Sequence, residues 1–134
     1  LESYAPAFRA LLERAIAFAG GEPSRVFVVS IPDWGVTPFA TGLGRDAAQV
    51  AREIDAFNAV AAATCAQRGV AFVDVTDISR DPVNREALVA DGLHPSGAQY
   101  AQWVARLLSR FLHSGAADET LAMITSQCNA SGAR

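Results

Sequence analysis

Lysine is absent from this sequence of 134 residues; all eleven basic residues are arginine. Fourteen Asp and Glu outweigh them and leave a formal net charge of −3. With no basic surplus to neutralise phosphates, neither nucleic acid nor an anionic membrane is expected as a partner. Cysteine is scarce, with only Cys65 and Cys128. Two are too few for a disulfide framework or a zinc site of paired cysteines, although a single bridge stays open. Long apolar runs are missing too. Arg, Asp or Glu interrupts each one, so no segment is expected to span a bilayer. The opening Leu1-Glu2-Ser3-Tyr4 lacks the basic-then-apolar order of a signal peptide, and none is expected. No phosphate loop, dinucleotide fingerprint or metal-ligand constellation is visible, since Gly42-Leu43-Gly44 is too little for one. No metal is therefore expected.

What is present is a core. Hydrophobic residues make up 51% and charged residues 19%, in one domain's length of chain. Tyr4, Phe8, Leu11, Leu12, Ala15, Ile16 and Ala19 recur at helical spacing and predict a helix over 3–19, capped by Ser3 and stopped by Gly20-Gly21. Val26-Phe27-Val28-Val29 has no polar alternation, which suits a strand buried on both faces. Residues 31–45 read as a long loop. A second helix spans 46–68, capped by Asp46, striped by Val50, Ile54, Phe57 and Val60 or Ala61, and ended by Gly69. Cys65 falls inside it as a small apolar packer.

Residues 70–75 form a second buried strand. Residues 76–94 read mostly as loop with a helical turn near 84–89. Pro95 sits where a first helical position belongs, and Tyr100, Val104, Leu107, Leu108 and Phe111 stripe a third helix to about Leu112. The segment 113–134 is a polar tail, read as disordered, as a short helix near 116–124, or as an added extension. His113 reads as a charge partner for the end of the third helix. The order is α-β-α-β-α. Two parallel strands bury poorly, so the chain reads as the back part of a larger α/β domain.

The chemistry concentrates in Asp91-Gly92-Leu93-His94-Pro95-Ser96. A carboxylate three residues before a histidine can bond one ring nitrogen and leave the other free as a base. Pro95 forces His94 into an extended conformation, so that the ring projects from the start of the helix. On spacing alone, an ordinary turn with His94 or Ser96 as a cap is an equal reading. Trp34 and Phe39, in the loop after the first strand, read either as an apolar wall for an acyl or aromatic group or as buried loop anchors. Asp74 and Asp77 read as turn residues or as supports for the His94 loop.

This Asp91-to-Ser96 block, followed by Gly97, Tyr100 and Ala101, resembles the last sequence block of the SGNH (GDSL) hydrolase family. Val28-Val29-Ser30-Ile31-Pro32-Asp33-Trp34, with Thr37-Pro38, resembles the strand exit and loop before that family's penultimate helix. The resemblance runs from about residue 4 to 112. It implies a three-layer α/β/α, flavodoxin-like fold, here truncated to about two parallel strands and three long helices. It also implies an ester hydrolase without a cofactor, acting on a small-molecule ester with small acyl or aryl groups, in which Asp91 and His94 are two members of a Ser-His-Asp triad.

The family's Gly-Asp-Ser nucleophile block, its oxyanion Gly and its Gly-x-Asn-Asp block are not in the sequence. That corresponds to about three strands, or ~90 residues at ~30 per βαβ unit. Ser30, at the end of the first strand, is a weak candidate nucleophile. Ser96 reads as a helix cap, Cys65 and Cys128 stand beside no clear base, and water activated by His94 is the remaining option.

The competing expectation is a catalytically inactive remnant that persists as an assembly module. Its open strand edge and apolar helix faces would be covered in a homodimer or higher homo-oligomer. A flavodoxin-like or receiver-like module ranks last, for want of an early acidic cluster and a phosphate or flavin loop.

Overall fold

The computed structural model describes residues 1–113. The tail from 114 onward, including Cys128, and the side chain of His113 lie outside the described residues. Helix α1 (Tyr4–Phe18) buries Leu12 and Ile16. Leu11, expected in the buried stripe, is exposed instead. Ser3 makes no side-chain cap bond, contrary to expectation. It is already helical in conformation, and the N–H groups of Tyr4 and Ala5 reach the Leu1 carbonyl at 3.1 and 3.3 Å. The stop is as expected. Gly20 and Gly21 have φ of 75° and 82° and close back on the Ala17 and Ile16 carbonyls.

Strands β1 (Phe27–Val29) and β2 (Ala71–Val73) pair in parallel, with Phe27 opposite Ala71 and Val29 opposite Val73. Both are shorter than the apolar runs predict. Val26 closes a 3₁₀ turn over Pro23–Arg25, and the Val70 N–H is spent on the Cys65 carbonyl. Past Val73, the Asp74 carboxylate accepts the Thr76 N–H and bends the chain away.

Helix α3 (Ala47–Arg68) crosses between the strands. Asp46 caps it through the Ala48 N–H, and Gly69 ends it in the left-handed conformation. Strand alternation then divides the core into two layers. Val28 and Phe72 pack against Phe8, Leu12, Ile16 and Cys65 from α1 and α3. Phe27, Val29 and Val73 pack on the other side with Trp103 and Leu107 of α6 (Gly97–His113). This is the expected α/β/α layering, with two parallel strands and three long helices. Both faces of β1 are covered, yet its residues are only half-buried. A two-stranded sheet leaves each strand an open edge among the described residues.

The expected loop over 31–45 holds two short helical pieces, a 3₁₀ turn at Trp34–Val36 and α2 (Pro38–Gly42). Thr37 caps α2 through the Ala40 N–H, with Pro38 in the first helical position. Residues 76–94 are likewise more ordered than expected. They form α4 (Thr76–Arg80) and α5 (Pro82–Glu86), the second capped by Asp81, and then a small hairpin. The helical turn expected at 84–89 is therefore at 82–86.

Pro95 does not begin the last helix. It lies in an antiparallel bridge opposite Leu88, two residues before α6. The flanking bonds run from Val89 N–H to the His94 carbonyl and from Ser96 N–H to the Ala87 carbonyl. The bridge thus needs no N–H from proline.

The expected α6 stripe is also partly corrected. Trp103 and Leu107 face the sheet, and Phe111 meets the Phe27 ring at 6.0 Å. Tyr100, Val104 and Leu108 are about half exposed.

Candidate active site

The hairpin between α5 and α6 carries Asp91 and His94 at its tip. Gly92 takes φ +67°, a conformation that glycine adopts without penalty. The turn is closed by the Asp91 carboxylate itself. Its Oδ1 accepts the backbone N–H groups of Leu93 (2.9 Å) and His94 (3.0 Å), and its Oδ2 lies 2.6 Å from His94 Nδ1. One side chain therefore shapes the turn and holds the ring.

The His94 backbone N–H, then its ring, then the Leu93 N–H all stabilise the anion and lower the Asp91 pKa to about 2. An ionised carboxylate only accepts, so Nδ1 must carry the proton in the neutral ring. The Nε2 lone pair is then left available, and no described residue bonds it. The ring side chain is 64% exposed.

His94 stands in the wall of an open groove of about 360 Å³. The other walls are apolar and include Trp34, Phe39, Ile31 and Leu93. The two aromatics singled out in the sequence and the histidine thus line one surface. Phe39 is joined to the hairpin by its backbone N–H, which donates to the Gly92 carbonyl at 3.2 Å. The Arg45 guanidinium lies over the Trp34 ring, 5.7 Å from its centroid.

Ser30 is not brought to His94. Its side chain is buried at the sheet end, where its hydroxyl donates to Asp74 (2.9 Å) and accepts from the Val75 N–H (2.8 Å) and the Thr76 hydroxyl (3.1 Å). It ties the two strand exits together. Ser96 does not act as a side-chain cap either, because its Oγ is buried without a partner. Asp74 and Asp77 serve Ser30, Thr76 and Arg106 rather than the His94 loop. Burial raises the Asp74 pKa, but the bonds from Thr76 and Ser30 outweigh it and leave the carboxyl below its ordinary value.

Several supporting residues escaped the sequence reading. Asn58, buried on α3, reads the Ile31 backbone from both sides. Its Oδ1 accepts the Ile31 N–H (2.9 Å), and its amide donates to the Ile31 carbonyl (3.0 Å) and to Thr76 (3.1 Å). The available signal was a polar residue in the buried register between Ile54 and Ala61. Asp33, 1% exposed, fixes the start of the Trp34 turn through the Gly35 N–H and an Arg80 ion pair at 2.8 Å. Arg80 also reaches Asp55 on α3. Gln99, equally buried, fastens the base of the hairpin. Its signal was its place four residues before Trp103 on the inward side of α6.

A family model described as the GDSL-like Lipase/Acylhydrolase family matches residues 1–102. Comparison with curated proteins and with solved structures returned no match. The matched stretch runs from α1 through the layered sheet and the Asp91–His94 hairpin into α6, and so the chain belongs to the GDSL-like lipase/acylhydrolase family, a family of hydrolases.

Proposed function

We propose that this chain hydrolyses carboxylic esters with small acyl or aryl groups, with His94 as general base and Asp91 as its orienter. The observation that carries this reading is the Asp91–His94 pair, 2.6 Å apart, in the wall of a groove built from Trp34 and Phe39. The apolar walls suit the acyl or aryl part, and burying an aromatic ring there would gain about 2 kcal/mol.

With Ser30 engaged by Asp74, the attacking group in this reading is water. As the water oxygen bonds to the ester carbonyl carbon, its proton passes to His94 Nε2. Ionised Asp91 stabilises the imidazolium that forms. On collapse of the tetrahedral intermediate the C–O bond to the alcohol breaks, and Nε2 returns the proton to the departing alkoxide. The family's oxyanion donors are not in this sequence, so turnover is expected to be slow.

Hydrolysis of p-nitrophenyl acetate and butyrate by highly purified protein is the test. The His94→Ala variant should lose most of it, and unchanged turnover in that variant would remove His94 from the mechanism.

A second reading is favoured by the face of α6. Val104, Leu107, Leu108 and Phe111 form a groove of about 200 Å³ with Phe27 of β1. That groove lies beside a strand with an open edge among the described residues, and identical edges can pair about a two-fold axis. In this reading a second copy of the chain covers both features in a homodimer, and the chain is an assembly module without turnover. A monomer at micromolar concentration in sedimentation would exclude it.

A further inference from the structure

The Asp91–His94 hairpin touches the body of the protein at its tip, through Phe39, and at its base. The base is where Gln99 acts. Its side chain is 1% exposed, and its amide nitrogen donates to the carbonyls of Asn84 and, at 3.2 Å, Ala87. Ala87 is the first residue of the hairpin. Its carbonyl also accepts the N–H of Ser96, the last residue of the hairpin, at 3.1 Å. Both lone pairs of that carbonyl are thereby used. Ser96 runs directly into α6, and Gln99 belongs to the first turn of α6. Both feet of the hairpin therefore stand on one helix.

That helix is referenced to the sheet by Trp103 and Leu107, packed on Val73, Val75 and Ile78. A line of contacts thus runs from β2 through α6 and Gln99 to Ala87, and along the hairpin to the ring of His94. Gln102 makes the informative contrast. It exchanges amide hydrogen bonds with Asn84 at 3.2 and 2.9 Å. It joins α5 to α6 without bonding the hairpin.

We propose that Gln99 is a positioning residue that sets the height of the Asp91–His94 hairpin against the Trp34–Phe39 groove by clamping the Ala87 carbonyl to α6. The proposal rests on the reading of His94 as the base. Replacing the amide by an apolar side chain of similar size frees the Ala87 end and lets the hairpin tilt. An error of about 1 Å at a reacting group is enough to lose on the order of a hundredfold in rate. Binding in the groove, which Gln99 does not line, should change little.

The test compares Gln99→Leu and Gln102→Ala in the full chain by three measurements: ester hydrolysis, thermal melting, and the ¹⁵N-edited NMR signals of the His94 ring. Gln99→Leu is expected to lower kcat roughly tenfold to a hundredfold, with KM within about threefold, and to shift the Nδ1–H signal. Gln102→Ala is expected to melt earlier while keeping kcat and the ring signals. Gln99→Asn, too short to reach Ala87, should repeat the Gln99→Leu result. A folded Gln99 variant with unchanged ring signals overturns the proposal. So does the failure of both Gln99 variants to fold, since Gln99 would then be needed for folding alone. Wild-type protein with no esterase activity would sink the hydrolase reading instead, while the ring signals would still decide whether Gln99 positions His94.

Discussion

The backbone N–H of Phe39 donates to the carbonyl of Gly92 at 3.2 Å, so the groove wall and the turn that holds His94 form one unit. Gly92 is held to glycine by its backbone conformation rather than by lack of space. Its φ is +67°, and an added Cβ would sit 3.4 Å from Pro38 Cβ. Gly92→Ala is therefore expected to destabilise the fold by about 1–2 kcal/mol through the left-handed conformation alone. The added methyl would meet Pro38 at ordinary contact distance, so α2 should stay in place and KM for aryl esters should change little. Urea denaturation and steady-state kinetics on the same variant check both effects, and a wild-type midpoint would show that the turn tolerates a side chain.

Asp91→Asn separates the two tasks of Asp91. An asparagine oxygen still accepts the Leu93 and His94 N–H groups, so the turn should survive. Its amide nitrogen, however, donates where Oδ2 accepted. Nδ1 must then become an acceptor, the ring proton moves to Nε2, and the base is lost. The expected outcome is a native circular dichroism spectrum with kcat reduced roughly 10²–10⁴-fold. A kcat within twofold of wild type would show that the ring–carboxylate bond has no part in turnover.

How far the sequence foretold this arrangement depended on whether the signal was local. Helices α1 and α3 and their glycine stops were legible because periodicity and a left-handed terminator are properties of neighbouring residues. The Asp91–His94 bond was legible for the same reason, since three residues on a turn can close on themselves. The short helices α2 and α4 were missed, and α5 was read only as a turn near 84–89, although Thr37-Pro38 and Asp81-Pro82 both carry a cap followed by proline. Helices of five residues have too little periodicity to stand out. Pro95 carried the same proline signal, but there tertiary pairing with Leu88 won over the local preference. The Asn58–Ile31 bonds span 27 residues and the Asp33–Arg80 pair spans 47. No local pattern announces a partner at that distance.

The long-range supports give a stability prediction. Arg80→Ala would leave the Asp33 carboxylate, 1% exposed, without its 2.8 Å partner. Removing one member of such a buried pair costs about 3–5 kcal/mol, because the remaining charge stays desolvated. Arg80 itself is one-third exposed, which lets solvent reach the gap and favours the lower end. Asn58→Ala should cost about 1–3 kcal/mol by stranding the Ile31 N–H. Chemical denaturation of the two single variants and the double variant is the measurement. Asn58 bonds Thr76, Ser79 bonds both the Thr76 carbonyl and the Asp33 N–H, and Arg80 bonds Asp33, so the two sites share one network and the losses should depart from additivity by more than about 0.5 kcal/mol.

Acid should loosen the hairpin in a defined window. The Asp91 pKa falls from 3.8 to about 2 in the folded chain, so the unfolded chain binds the proton more readily. Stability contributed by Asp91 is therefore fully present above about pH 4 and is lost as the pH falls through 2. Asp77, whose pKa is lowered by its bond from Arg106, acts in the same direction at the sheet end. Wild-type protein should grow steadily less stable between pH 4 and 2. The Asp91→Asn variant should show a shallower dependence, because its turn is held by an amide that does not titrate there. Amide signals of Leu93 and His94, followed by NMR through the same range, report the hairpin directly. In wild type they should titrate near pH 2; a midpoint near 3.8 would mean that the Asp91 carboxylate gains nothing from the turn it closes.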